Sequence, residues 1–204
     1  MVKVYDLDWS RSIRITWLLQ ELGEDYELVS FKRNPETRRA PEELRKVHPL
    51  GKAPVIEDDG KTIAESGAII EYLLRKFDTE GKLAPVPGEE EWERHIELLH
   101  YVEGSLSAQL MPLLVEKLLG ETLPQKTKYF FENEKNLHLK YVSEQIRPSG
   151  FLLDRGFSAV DIHMAFTLQM AETAVGLEDY PNLVSYLERL KKRPAYHRAL
   201  GKQQ

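Results

Sequence analysis

The stretch HPLGKAPVIEDDGKTIAES, residues 48–66, decides the fold because it combines a proline, a hairpin and a helix start. Two β-rich segments, PVIED and KTIA, are joined by Asp59-Gly60, a dipeptide typical of two-residue hairpin turns. From Ser66 to residue 77, apolar residues then recur with helical spacing. The stretch therefore predicts two antiparallel strands that lead directly into a helix.

Pro54 stands where the first of these strands begins, and a proline there removes a donor from the strand ladder. An ordinary trans proline that opens a strand is one interpretation. The other is a cis bond between Ala53 and Pro54, which would turn the N–H and C=O of Ala53 outward to pair with an extended ligand. The residues alone leave both interpretations open.

Glu65, Ser66 and Ser10 are polar residues at predicted helix starts, and each has a structural and a functional interpretation. Ser66 can be a plain N-cap, or the helix mouth can bind a carboxylate while Glu65 binds an ammonium group. Ser10 can be a turn residue, but Ser12 is the more natural cap, which leaves the Ser10 hydroxyl available to an anion.

Strand and helix signals alternate around this stretch in the order βαβαββα, and the pattern predicts a first domain over residues 1–80. The helix over 12–22 is expected to stop at Gly23, and residues 31–39 read as a solvated loop. Glycines and prolines without periodicity place a linker at 81–88. Residues 89–204 read as an all-helical domain, with helices over 89–119, 124–146, 158–176 and 181–200. Ser158 and Asp161 fit a capping box before the third of these helices.

Composition excludes several functions. The chain has 204 residues, a net charge of −5 and no cysteine, so disulfides and any protein-borne thiol nucleophile are excluded. Interleaved charges argue against nucleic acid as a partner, and no apolar run approaches a membrane span. The amino terminus lacks the apolar core of a signal peptide, so we expect a cytoplasmic protein without a membrane partner. The histidines show no metal-binding spacing, so no metal is expected.

Three segments together resemble the soluble glutathione transferases, in particular the bacterial and fungal type with a serine near the amino terminus. They are DLDWSRSIRITWLLQELGEDYELVSFKR, then HPLGKAPVIEDDGKTIAESGAIIEYL, and later FSAVDIHMAF. The resemblance covers essentially the full length. It implies a thioredoxin-like α/β first domain, an all-α second domain that contributes a hydrophobic co-substrate site, and a homodimer. Candidate dimer surfaces are the helix with Ile69, Ile70 and Leu73 and the helix that begins near Trp92.

The resemblance also implies the site. Ser10 matches the catalytic serine, which stabilises the glutathione thiolate. The Ala53 backbone beside Pro54 matches the group that pairs with the cysteinyl part of glutathione, and Glu65 with Ser66 matches the pair that holds the γ-glutamyl end. Lys52 occupies a position that contributes to the same site in some classes. Other classes use a tyrosine, for which Tyr5 is the alternative here, although it falls within the first strand.

The expected activity is therefore conjugation of glutathione, as a co-substrate rather than a bound cofactor, to small hydrophobic electrophiles. Two alternatives stay open at this stage. The same thiolate serves a glutathione-dependent peroxidase or isomerase, and a non-catalytic ligand-binding module of this fold could keep Ser10 as a cap.

Overall fold

A computed structural model describes residues 1–203 and divides the chain into two compact units. The first unit comprises Met1–Gly81 together with the chain from Lys192 onward, and the second comprises Lys82–Lys191. The strands are β1 (Val2–Leu7), β2 (Tyr26–Phe31), β3 (Val55–Asp58) and β4 (Lys61–Ala64). The helices are α1 (Ile13–Leu22), α2 (Glu43–Val47), α3 (Ser66–Phe77), α4 (Trp92–Tyr101), α5 (Ala108–Leu119), α6 (Gln125–Gln145), α7 (Ala159–Val175), α8 (Pro181–Lys191) and α9 (Pro194–Gln203), with a π-helical segment (Val102–Ser107) between α4 and α5.

The first unit contains a four-stranded sheet in the order β2-β1-β3-β4. β1 and β2 run parallel, as a strand–helix–strand connection through α1 requires, and the other two pairs are antiparallel. Asp59 and Gly60 join β3 to β4 with φ values of 49° and 73°, the positive φ at both central residues that a type I′ turn needs. The predicted order βαβαββα and the hairpin are confirmed.

Apolar side chains of α1 and α3 form the core of this unit. Ile15, Leu18 and Leu19 of α1 are fully buried, and α1 ends at Gly23, which adopts a φ of 75°. On α3, Ile69, Ile70 and Leu73 also have no exposed surface. These three α3 side chains lie inside the unit, so a dimer surface on this helix would have to use its other faces.

The second unit is helical, and α7 is its central helix, packed against α4, α5 and α8. Almost every side chain from Ala159 to Ala171 is buried, as expected for a helix surrounded by others. Ser158 and Asp161 form the predicted capping box at its start. None of the helices within residues 1–203 is long and apolar enough to cross a membrane.

The chain from residue 181 onward departs from the prediction. One helix was expected over 181–200, but α8 ends at Lys191 and α9 begins at Pro194, because a proline is tolerated at the first position of a helix and not in its interior. The helix α9 packs on α1 and β2, so the domain predicted over 89–204 loses its last segment to the first unit. Trp17 and Tyr196 meet edge to face there, with ring centroids 4.9 Å apart.

The other helix boundaries differ in smaller ways. The short helix expected near Pro41 begins at Glu43. The helix expected from residue 89 begins at Trp92 and carries the π-helical segment before α5. Such segments insert one extra residue into a helix turn, and the periodicity of the sequence does not reveal them.

Candidate active site

Strand register brings the predicted site residues to one end of the sheet in the first unit. Val55 pairs with Tyr5 of β1 on one side and with Ala64 of β4 on the other. In antiparallel pairs, residues that precede Val55 therefore lie beside those that follow Tyr5 and Ala64. The loop after β1, the 52–54 segment and the start of α3 consequently share this end of the sheet.

Ser10 lies in the turn between β1 and α1, and only 8% of its surface is exposed. Its Oγ is 2.8 Å from the Oγ of Ser12 and accepts a hydrogen bond from the Ser12 backbone N–H at 3.2 Å. The preceding residue, Trp9, has a φ of 45°, which is uncommon for a residue other than glycine. The strained turn places the Ser10 hydroxyl just before the first N–H groups of α1.

The peptide bond between Ala53 and Pro54 is cis, the second of the two interpretations considered for this proline. Pro54 is buried, whereas Ala53 is half-buried. Among residues 1–203, neither the backbone N–H nor the C=O of Ala53 has a hydrogen-bond partner. This backbone position is therefore open to an extended ligand.

Glu65 and Ser66 occupy the junction of β4 and α3. Glu65 is exposed, adopts a φ of 70°, and is the residue that precedes the helix, while Ser66 is its first helical residue. Ser66 is therefore not the N-cap considered above, and Glu65 provides no side-chain cap. The Ser66 hydroxyl has no hydrogen-bond partner within the described part of the chain. The first N–H groups of α3 are consequently uncapped by any side chain, a typical setting for a bound carboxylate.

Lys52 and Tyr5 complete the set of candidates. Lys52 is exposed and precedes the Ala53–Pro54 bond, so it lies at the same end of the sheet. Tyr5 lies within β1 and its hydroxyl donates to Glu57 at 2.8 Å. Burial, and then this bond to a carboxylate, raise the pKa of Tyr5 to about 12. A tyrosine committed to Glu57 is unsuited to stabilise a thiolate, which favours Ser10.

One residue near the site was not singled out in the sequence. Arg33, in the predicted solvated loop, donates from its guanidinium to the backbone carbonyls of Asp8 at 3.0 Å, Trp9 at 3.3 Å and Arg38 at 3.0 Å. The backbone N–H of Arg33 donates to the Asp8 carboxylate at 2.7 Å. Arg33 thus ties the turn before Ser10 to the loop after β2. The parallel pairing of β1 and β2 was the available signal, since it places both loops at one edge.

Comparison with known proteins identifies the family. Residues 1–75 match the model of the glutathione S-transferase N-terminal domain, and residues 108–198 match that of the C-terminal domain. Glutathione S-transferase 1 of Saccharomyces cerevisiae is 34% identical, over 96% of this chain and 92% of the yeast protein.

Solved structures agree with these sequence matches. A glutathione S-transferase from Actinobacillus pleuropneumoniae superimposes with a TM-score of 0.90 at 33% identity, covering 100% of this chain and 93% of that one. A sphingomonad glutathione S-transferase complexed with glutathione, at 24% identity, has the same fold with a TM-score of 0.80 over 98% of each chain. The chain belongs to the glutathione S-transferase family. The predicted family, fold class and enzyme class are therefore confirmed.

Proposed function

We propose that the protein uses Ser10 to hold glutathione as a thiolate and to transfer it to small hydrophobic electrophiles. The observation that carries this proposal is the convergence of three ligand-binding features at one end of the sheet. They are the buried hydroxyl of Ser10, the open backbone of Ala53, and the uncapped helix mouth at Glu65–Ser66. Each complements a different part of one tripeptide.

The positions suggest how the tripeptide lies. The Ala53 backbone pairs with the cysteinyl residue beside Pro54, and the N–H groups at Ser66 receive the γ-glutamyl carboxylate. The carboxylate of Glu65 receives the ammonium group of the same γ-glutamyl residue, and Lys52 adds a positive charge nearby. Fixing the tripeptide in this way makes the attack of the sulfur effectively unimolecular.

The energy required of Ser10 is modest. A thiol with a pKa of about 8.5 is only roughly 3% ionised at pH 7. Lowering this pKa by about two units requires roughly 2.7 kcal/mol of preferential stabilisation of the anion. One hydrogen bond to a charged acceptor supplies about 1.5 to 3 kcal/mol, and a helix amino terminus adds up to about 1 kcal/mol. Ser10 and α1 together therefore suffice.

In the reaction, the sulfur lone pair of the thiolate forms a bond to an electrophilic carbon, and the leaving group departs with the electrons of the bond that breaks. Ser10 keeps its proton and serves as a hydrogen-bond donor, so no general base is needed beside it. Side chains of the helical unit supply the apolar contacts to the electrophile. No cofactor or metal enters this scheme.

Two further parts of the proposal concern assembly and location. We expect a homodimer, as the family resemblance implies, through α4 and the exposed face of α3 rather than through the buried residues of α3. We also expect a cytoplasmic protein, because reduced glutathione is the main thiol buffer of that compartment. Sedimentation of the purified protein and fractionation of its native cells test these two expectations.

The deciding experiment is a pH titration of bound glutathione, followed by the ultraviolet absorbance of its thiolate. The wild-type protein should show a thiol pKa near or below 7, and Ser10→Ala should return it toward 8.5. Tyr5→Phe is the control, because its hydroxyl is bound to Glu57, and it should leave the thiol pKa unchanged. Glutathione that binds without a lowered pKa would favour the ligand-binding alternative. Rapid turnover of hydroperoxides, with slow conjugation, would favour the peroxidase alternative.

A further inference from the structure

Two arginines of the loop after β2 lie beside the turn that carries Ser10. The Arg33 guanidinium donates to the backbone carbonyls of Asp8 at 3.0 Å, Trp9 at 3.3 Å and Arg38 at 3.0 Å. The Trp9 carbonyl belongs to the peptide unit that Trp9 shares with Ser10, so this guanidinium lies against the backbone that precedes the Ser10 side chain. Arg33 and Arg38 are called the arginine pair below.

No ion pair neutralises the positive charge of the arginine pair. The Arg33 guanidinium donates to three neutral carbonyl groups and pairs with no carboxylate within residues 1–203. Arg38 is exposed, and its guanidinium has no hydrogen-bond or ion-pair partner in that part of the chain. The Asp8 carboxylate accepts the backbone N–H of Arg33, not its side chain. Both guanidinium groups therefore keep their charge for a further group.

Like charges crowd the Arg33 guanidinium. Burial lowers the pKa of Arg33, the charge of Asp8 raises it, and the charges of Arg38 and Arg11 lower it further. On the β1 side of the turn, burial also raises the pKa of the Asp6 carboxyl. The chain as a whole has a net charge of −5, so its overall composition does not account for this crowding of cations. An anion bound beside the arginine pair would offset the repulsion.

The loop holds Arg38 in place before any ligand binds. Arg38 has a φ of 57°, in the left-handed region that residues other than glycine rarely adopt. Its N–H donates to the Asn34 carbonyl at 2.9 Å, and its own carbonyl accepts from Arg33. The Asn34 side chain accepts the N–H groups of Glu36 and Thr37 at 3.0 and 2.8 Å. Because the backbone is fixed in this way, its charged side chain acts from a preorganised position.

We propose that the arginine pair stabilises the glutathione thiolate through its positive charge, in addition to the hydrogen bond from Ser10. The inference rests on the proposed role of Ser10. The thiol proton is released to solvent, and neither arginine forms or breaks a covalent bond. A nearby positive charge favours the ionised form of a thiol. Unlike the short-range bond from buried Ser10, the charge of an exposed guanidinium acts over distance, and dissolved salt screens it.

The test measures the thiol pKa of bound glutathione by ultraviolet absorbance in variants that change the charge of Arg38. Arg38→Gln should raise this pKa by roughly 0.3 to 0.5 unit, a two- to threefold loss of thiolate at a pH below the pKa. Arg38→Glu should raise it about twice as far, and Arg38→Lys should leave it near the wild-type value, because the effect follows the charge. Sodium chloride at about 0.5 M should move the wild-type pKa toward that of Arg38→Gln.

Arg39→Gln is the matched control. It makes the same substitution at the next residue of the loop, which is also exposed, and the charge of Arg39 is not among those that shift the pKa of Arg33. The thiol pKa should stay at the wild-type value in this variant. Circular dichroism checks that every variant is folded, and the salt titration of the wild-type protein needs no variant.

The outcomes separate this inference from the proposed function. A thiol pKa that is the same in wild type, Arg38→Gln and Arg38→Glu, or that does not respond to salt, would overturn the inference. Equal shifts in Arg38→Lys and Arg38→Gln would also overturn it, since they mark a structural role. So would weaker glutathione binding with an unchanged thiol pKa, which means that Arg38 binds a carboxylate of the tripeptide. A wild-type protein that does not lower the thiol pKa would instead refute the proposed function.

Discussion

The strongest stability prediction concerns Asp161, which organises the start of α7. This residue has no exposed surface, and its carboxylate accepts four hydrogen bonds. Oδ1 accepts from the Leu152 backbone N–H at 3.0 Å and from the Tyr186 hydroxyl at 2.7 Å. Oδ2 accepts from the N–H and the hydroxyl of Ser158 at 2.8 and 2.9 Å. One side chain thus joins α7, α8 and the preceding loop.

Removing the Asp161 carboxylate should lower the free energy of unfolding, because its hydrogen-bond donors remain in place without an acceptor. In Asp161→Ala, the hydroxyls of Tyr186 and Ser158 can rotate, but the backbone N–H groups of Leu152 and Ser158 cannot. A buried unsatisfied donor costs about 1 to 3 kcal/mol, so two of them predict a loss of about 4 kcal/mol in the free energy of unfolding. Asp161→Asn keeps Oδ1 as an acceptor but sets an amide donor against the Ser158 N–H, which predicts a loss of about 2 kcal/mol in the free energy of unfolding.

Urea unfolding at pH 7, followed by far-ultraviolet circular dichroism, measures these losses. Asp179→Asn is the control, because Asp179 is exposed and the substitution removes the same charge. It should change the free energy of unfolding by less than about 0.5 kcal/mol. Unfolding of Asp161→Ala at the same urea concentration as this control would refute the reasoning.

Three further predictions address pH, the site and the first unit. Burial, and then the charge of Arg155, lower the pKa of His95 to about 4 from its ordinary value near 6.5, so the unfolded chain binds a proton that the folded chain does not. Stability should therefore fall by about 3 kcal/mol as pH drops from about 7 to 4, and His95→Leu should reduce that slope in thermal melts across this range. Arg33→Gln should lower kcat roughly tenfold with little change in melting temperature, because it releases the turn before Ser10. Arg33→Lys should recover only part of the lost kcat. A large drop in melting temperature alongside the drop in kcat would contradict this prediction. The Arg193 guanidinium donates two hydrogen bonds to the Glu21 carboxylate, of 2.6 and 2.9 Å. Glu21→Gln should therefore lower the free energy of unfolding by about 1 to 2 kcal/mol in urea. The control is Glu24→Gln, at a residue without such a pair, and a loss in Glu21→Gln no larger than in this control would count against the prediction.

Local chemistry made much of the fold predictable. Gly23 ends α1, and Asp59-Gly60 turns the hairpin, because positive φ is a property of one or two residues. The capping box of Ser158 and Asp161 was predictable for the same reason, since both partners lie within one helical turn. For the site, each candidate residue was found from its type and its neighbours, and the family resemblance assigned its role.

Other features depend on residues far apart in the chain. The sequence could not show that Ile69, Ile70 and Leu73 are fully buried in the core of the first unit, because an apolar helix face has the same pattern whether it meets a core or a partner subunit. Nor could it place α9 beside α1, since their contact joins residues about 180 positions apart, such as Trp17 and Tyr196.

By itself, the sequence determined the order of strands and helices over residues 1–80, the Asp59-Gly60 turn, the stop of α1 at Gly23 and the capping box of Ser158 and Asp161. Only the tertiary structure decided that the loop before Ser10, the Ala53 backbone and the start of α3 share one end of the sheet, and that Arg33 and Ser12 contact the turn that carries Ser10. The physical reason is range. Propensities and caps act within a few residues, whereas strand register and the direction of a hydrogen bond depend on groups that folding alone brings together.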